Sequence, residues 1–349
     1  KLSEKLAEYE MGDKTFFKFK TSKGVELNAW MIKPPNFSEA KKYPVFLTIY
    51  GGPGSQTVTN SWGGSNFFWH QMLAQKGYIV VSVDNRGTGA RGVDFKKVTY
   101  KQLGKYETED QIEAAKYFAS LPYVDAERIG VQGWSYGGYM SSLCLLKGAD
   151  YFKAAIAVAP VTNWRFYDSI YTERYMQTPQ ENEDGYDDNS PINHVEKLEG
   201  KYLLVHGMAD DNVHLQNTAD MVSALVKADK QFDLFVYPNK NHGIYGGNTR
   251  LHLYKKMTNF INKTKLTKAI EGCTVASFEN GKEILDYLQG DNGWALMASL
   301  AVPSWFWEGD ATVYETALSE GGRGRAPFFT LQQRTQLFQL KSFLISMLT

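Results

Sequence analysis

The stretch IGVQGWSYGGYMSSLCLLK, residues 129–147, decides the fold. Residues 129–134 read as a short strand, and residues 136–147 carry apolar side chains at helical spacing. Between them, Gly133-Trp134-Ser135-Tyr136-Gly137 fits the pattern G-x-S-x-G. A sharp strand-to-helix turn needs small flanking residues to avoid clashes, and it presents the serine oxygen above the sheet. Taken alone the pentapeptide also fits an ordinary glycine turn. The strand before it and the helix after it favour an exposed nucleophile.

Outward from this point the chain alternates short β-rich runs with helix-period segments, as a mostly parallel sheet covered by helices on both faces requires. Further strands are expected at 45–50, 78–83, 154–159, 202–206 and 232–237, and further helices at 107–120, 216–227 and 249–261. Residues 15–33 read as an antiparallel hairpin turning at Ser22-Lys23-Gly24. The expected fold is therefore α/β, a doubly wound α/β-hydrolase sheet over residues 15–265. After about residue 265 the β-α alternation stops. Residues 266–349 are expected to be a small, unrelated, α-rich tail, best explained as a fragment of another protein joined to the hydrolase.

Composition narrows the function classes. The 349 residues are 43% hydrophobic and 22% charged, with 38 basic and 38 acidic side chains. That balance gives no electrostatic reason for nucleic acid or an anionic membrane as the main partner. The short run Gly321-Gly322-Arg323-Gly324-Arg325 fits a solvated loop better than an RNA contact. Cys144 and Cys273 are too few for a disulfide framework and sit in no metal-ligand pattern. The longest apolar run, 294–307, is broken by Ser299, Pro303 and Ser304, so no membrane span is expected. Asp84-Asn85-Arg86-Gly87-Thr88-Gly89 lacks the full dinucleotide pattern and reads as a strand-exit turn near the face that presents Ser135. No cofactor and no metal are expected.

A serine hydroxyl is a weak nucleophile and needs an imidazole base oriented by a carboxylate. His206-Gly207-Met208-Ala209-Asp210-Asp211-Asn212 follows one strand, and Asn239-Lys240-Asn241-His242-Gly243 follows the next. The order Ser135, Asp210, His242 is that of an α/β-hydrolase, with each residue just beyond a strand end. Asp211 is the rival acid. His70, His194 and His252 lack a strand-end context, and His206 and His214 suit structural hydrogen bonds.

Three longer motifs then carry a specific resemblance: GWSYGG at 133–138, WRFYDSIYTERY at 164–175 and ADDNVH at 209–214, with EDQIEAA at 109–115. They resemble the dipeptidyl peptidase IV branch of the prolyl oligopeptidase group, over about residues 15–261. The resemblance implies release of X-Pro or X-Ala dipeptides from peptide N-termini, and it selects Asp210 over Asp211. It also implies an oxyanion hole from the Tyr50 hydroxyl and the Tyr136 backbone N–H. A proline pocket would be formed by Tyr136, Val161, Trp164, Tyr167, Tyr171 and Val213, with Asn212 on a substrate carbonyl. Trp164, Tyr167 and Tyr171 also have helical spacing and would otherwise read as core.

The resemblance further implies a preceding β-propeller that binds the substrate amine, with residues 1–14 as the remnant of its connection. On that expectation the chain would cleave small X-Pro substrates poorly and without strict need of a free amine. It also implies an exported, bacterial and periplasmic protein, with homodimerisation open. Glu308, in Ala301 to Ala311, resembles a metallopeptidase ligand segment, but no HExxH helix completes it. Two other readings stand beside this one. A carboxylesterase would need no proline pocket, and a non-catalytic dimerisation module would have no use for a complete triad.

Overall fold

The computed structural model describes residues 9–61 and 63–264. Residues 1–8 and the expected tail at 266–349, with Cys273, Glu308, the 294–307 run and the 321–325 run, lie outside the described residues. One eight-stranded sheet organises the rest, in the order β1-β2-β4-β3-β5-β6-β7-β8. β1 (Lys14–Lys20) and β2 (Glu26–Ile32) form the expected antiparallel hairpin. Gly24 takes the left-handed conformation at its turn, with φ of 80°. β2 pairs antiparallel with β4 (Ile79–Asp84). From there β3 (Tyr43–Ile49), β5 (Val124–Trp134), β6 (Phe152–Val158), β7 (Lys201–Gly207) and β8 (Asp233–Tyr237) run parallel.

The central strands are buried on both faces, so they read as continuous apolar runs rather than alternating ones. On β3, Val45 and Leu47 enter one hydrophobic core while Phe46 enters the other. On β7, Leu204 faces the first core, and Leu203 and Val205 face the second. Helices α1 (Gly64–Gln75), α2 (Val93–Lys97), α3 (Lys105–Ala119), α4 (Tyr136–Lys147), α5 (Ser169–Met176), α6 (Glu183–Asp187), α7 (Gln216–Lys227) and α8 (Thr249–Lys263) complete the α/β-hydrolase arrangement. Tyr139, Leu143 and Leu146 of α4 fill the first core, and Leu253, Met257 and Phe260 of α8 fill the second.

Two differences from the sequence reading matter for the site. β5 begins at Val124 rather than near 129, because Val124 already pairs with Tyr43 ahead of a register shift that brings Val45 opposite Ile129. The helical spacing of Trp164, Tyr167 and Tyr171 does not make one helix. A short 3-10 turn at Trp164–Phe166 ends in extended backbone at Tyr167, and Asp168 then caps α5 by accepting the Tyr171 N–H at 2.8 Å. The capping carboxylate restarts the helix and redirects the aromatic side chains.

Candidate active site

Ser135 sits where β5 meets α4, in a backbone conformation (φ 60°, ψ −118°) that a side-chain-bearing residue rarely adopts. Hydrogen bonds hold it there: its N–H donates to Val158 O at 2.8 Å, and its carbonyl accepts from Tyr139 N at 3.0 Å. The flanking glycines are required by close approach. A Cβ on Gly133 would lie 2.1 Å from Gly137 O, and one on Gly137 would lie 2.3 Å from Ile49 O. Neither position accepts any other residue without moving backbone.

Asp210 lies three residues past β7 and is 5% exposed. Its Oδ1 accepts the backbone N–H of Asn212 at 3.0 Å and of Val213 at 2.9 Å. Its Oδ2 lies 2.8 Å from His242 Nδ1. A carboxylate at that distance fixes the proton on Nδ1 and leaves Nε2 as the basic nitrogen. The His242 loop is tied back to the nucleophile strand, since Trp134 Nε1 donates to His242 O at 3.0 Å. Burial pushes the Asp210 carboxyl up, but hydrogen bonds from His206 and His242 outweigh it and hold the group below its ordinary range. Asp211, the rival acid, is exposed to solvent.

His206 is wholly buried beneath Asp210. Its Nε2–H is shared between Val213 O at 2.8 Å and Asp210 Oδ2 at 3.1 Å, while Nδ1 accepts from Thr218 Oγ1 at 2.7 Å. This is the structural hydrogen bonding expected of it, with the addition that one partner is Asp210 itself. The other histidines lie apart from Asp210 in their bonding: His252 Nδ1 shares a hydrogen bond with the Tyr237 hydroxyl, His194 meets Asp188 O, and His70 is buried between Trp30 and Trp69. His214 is exposed.

The expected pocket residues form one aromatic cluster. Ring centroids of Tyr136 and Trp164 are 5.4 Å apart, Trp164 stacks on Tyr171 at 5.8 Å and 24°, and Tyr167 meets Tyr171 edge-on at 5.3 Å. Val161 and Val213 are buried in the same core. Asn212 is joined to this wall, because its Oδ1 accepts from the Tyr167 hydroxyl at 2.6 Å. Tyr50, 39% exposed, begins the loop that follows β3, with its ring 5.9 Å from that of Tyr136. The strand-exit turn after β4 supports this loop: Asn85 Nδ2 donates to Gly51 O at 3.0 Å. A cavity of about 260 Å³ opens beside Tyr50 and Trp134, lined also by Trp30, Phe67 and Trp69.

One residue beneath the site was not singled out from the sequence. Glu107, in the first turn of α3, is completely buried. Its Oε1 accepts from the Tyr136 hydroxyl at 2.7 Å, and its Oε2 accepts the Gly104 N–H at 3.0 Å. Burial raises its pKa to about 7 against the hydrogen bonds that oppose the shift, and the neighbouring Asp110 adds to the rise. In sequence a glutamate at the third position of a helix reads as a capping partner for the N-terminal amide, which it also is. Nothing in the spacing marks the phenol as its second partner.

Among the described residues no group of three or more His, Cys, Asp or Glu side chains could hold a metal, and no helix is long and apolar enough to cross a membrane. Cys144 is buried and free, and its burial pushes the thiol pKa up.

Comparison with known proteins supports the α/β-hydrolase fold and identifies a peptidase family. The model of the prolyl oligopeptidase family matches residues 65–267. A protein of Sclerotinia sclerotiorum named "probable dipeptidyl-aminopeptidase B" is 47% identical over 245 residues, covering 69% of this chain and 26% of the relative. One of the same name from Trichophyton verrucosum is 48% identical over 229 residues, covering 64% and 25%. The crystal structure of Porphyromonas gingivalis dipeptidyl peptidase 4 aligns with a TM-score of 0.73 at 51% identity, over 75% of this chain and 37% of that one. The chain thus spans about a quarter of the length of the curated relatives it matches. Those relatives are fungal, so the expected bacterial periplasm does not follow from them.

Proposed function

The chain belongs to the prolyl oligopeptidase family of serine peptidases, and from that premise we propose that it carries the hydrolytic site of a dipeptidyl peptidase acting on X-Pro or X-Ala N-termini. Ser135 Oγ attacks the scissile carbonyl as His242 Nε2 takes its proton. Asp210, on Nδ1, keeps the imidazole in that tautomer and stabilises the imidazolium. The backbone N–H of Tyr136 and the hydroxyl of Tyr50 receive the developing oxyanion. His242 then gives its proton to the leaving amine, and the acyl-enzyme forms. Water, deprotonated by the same nitrogen, releases the dipeptide and restores Ser135.

The observation that carries this reading is the 2.8 Å His242–Asp210 bond beside a strained serine elbow. The aromatic wall beside that elbow favours proline, because a proline ring has no donor to satisfy and gains from contact with aromatic faces. Asn212, oriented by Tyr167, would offer its amide N–H to the carbonyl of the residue before proline. The test is release of p-nitroaniline from Gly-Pro, Ala-Ala and Gly-Leu anilides by the full chain. The expected order is proline, then alanine, then leucine, with all activity lost in Ser135→Ala. Rapid hydrolysis of short acyl esters with no preference among the anilides would favour the carboxylesterase reading instead.

A further inference from the structure

Burying a carboxyl costs free energy unless it is well bonded, so the place chosen for Glu107 needs a reason. Its partner Tyr136 directly follows the nucleophile and supplies the backbone N–H expected to hold the oxyanion. The Tyr136 ring is packed against Tyr139 at 5.4 Å and Trp164 at 5.4 Å. Across the site it lies under the loop that carries Tyr50: a Cβ on Gly52 would fall 2.9 Å from the Tyr50 ring and 3.1 Å from Cγ of Tyr136.

One turn further along α3, on the same face, Gln111 donates from Nε2 to Asn85 Oδ1 at 2.9 Å. Asn85 in turn donates to Gly51 O at 3.0 Å, next to Tyr50. A single helical face, at positions i and i+4, therefore grips both sides of the expected oxyanion hole. Arg86 adds a clamp between α3 and the turn, since its NH2 lies 2.7 Å from Asp110 Oδ1 and its N–H donates to Asp110 Oδ2 at 2.8 Å.

We propose that Glu107 is a positioning residue for the reaction, whose bond to the Tyr136 hydroxyl holds the oxyanion-binding N–H in register with Tyr50. This rests on the serine hydrolase reading above. Its effect should fall on the chemical step more than on binding, because a donor displaced from the oxyanion is missed in the transition state and not in the ground state.

The experiment compares Glu107→Leu, Glu107→Gln, Tyr136→Phe and the double variant Glu107→Leu/Tyr136→Phe in the full chain. It measures kcat and KM on Gly-Pro p-nitroanilide, the rate of Ser135 labelling by an uncharged fluorophosphonate, and the melting temperature. Glu107→Leu should lower kcat and the labelling rate about 100-fold while KM moves less than about threefold. Glu107→Gln, which can accept from Gly104 and donate to the phenol oxygen, should stay within about fivefold of the parent. Tyr136→Phe should resemble Glu107→Leu, and the double variant should be no worse than either, since both remove one interaction. A folded Glu107→Leu with kcat within twofold of the parent would overturn the proposal, as would additive losses in the double variant. If Glu107→Leu does not fold, the Gln and Phe variants still decide. A parent chain that labels at Ser135 but leaves Gly-Pro uncut would sink the dipeptidyl peptidase reading alone, because the labelling rates still report on Glu107.

Discussion

Two buried carboxyls lie under the active-site edge, one beneath His242 and one beneath Tyr136, and their surroundings give them opposite character. Asp210 receives two backbone amides on Oδ1 and two imidazoles on Oδ2. It stays ionised despite burial. Glu107 has the Tyr136 phenol on one oxygen and the Gly104 amide on the other, with its own backbone N–H as a further donor, and its pKa still rises to about 7. Burial pushes both groups the same way. The number and charge of the donors decide whether the pKa ends below or above its ordinary value. The loop after β7 can provide those donors because it turns sharply around Asp210, aiming consecutive N–H groups at one oxygen. The first turn of α3 offers Glu107 only what a helix N-terminus leaves unpaired.

The largest expected effect tests the ionised member. Asp210→Asn should lower kcat on Gly-Pro p-nitroanilide by about 10⁴-fold, because the amide no longer enforces the Nδ1–H tautomer of His242. Steady-state kinetics on a variant with unchanged melting temperature measures this. A loss of only a few-fold would mean that the charge at Asp210 is not what separates the two sites.

The next effect concerns Glu107 and is read in stability. Its folded pKa, about 7, lies above the ordinary 4.5, so the folded chain binds the extra proton between those values. Stability from this group is full below about 4.5 and falls as pH rises to about 7, by on the order of 3 kcal/mol. Glu107→Gln has no proton to lose, so its denaturation free energy relative to the parent should grow between pH 5.5 and 8. Parallel pH dependences would remove the contrast with Asp210. Asp210 works in the other sense: its pKa lies below the ordinary 3.8, so its contribution is present above that value and fades only as pH falls through its folded pKa.

The smallest effect sharpens the comparison by position. Asp211 is next to Asp210 but faces solvent, so Asp211→Asn should change kcat by less than about threefold. If it proved more damaging than Asp210→Asn, the acid would have been assigned to the wrong neighbour.

Much of this was legible in the sequence because the strands that carry the site are apolar on both faces. Runs such as Val45 to Ile49 and Tyr202 to Val205 declare themselves without tertiary information. The triad residues stand at the ends of those runs, so their convergence follows from a parallel sheet whose C-terminal edges meet. Helix α1 was missed because it opens on glycines and has apolar side chains around much of its circumference, leaving a weak period. The break at Tyr167 was missed because Asp168 reads as one more polar residue in a helical stretch until its cap is seen. Glu107 was missed for a deeper reason. A glutamate on a polar helix reads as exposed, and only the packing of α3 against α4 shows that it is enclosed.

The most direct test is to label the purified chain with a fluorophosphonate and map the modified peptide, beside Ser135→Ala and Asp210→Asn. A single adduct on Ser135, absent in Ser135→Ala and formed far more slowly in Asp210→Asn, is the result predicted. An adduct on another serine, or undiminished labelling of Ser135→Ala, would contradict the assignment of the nucleophile and the account of the site built on it.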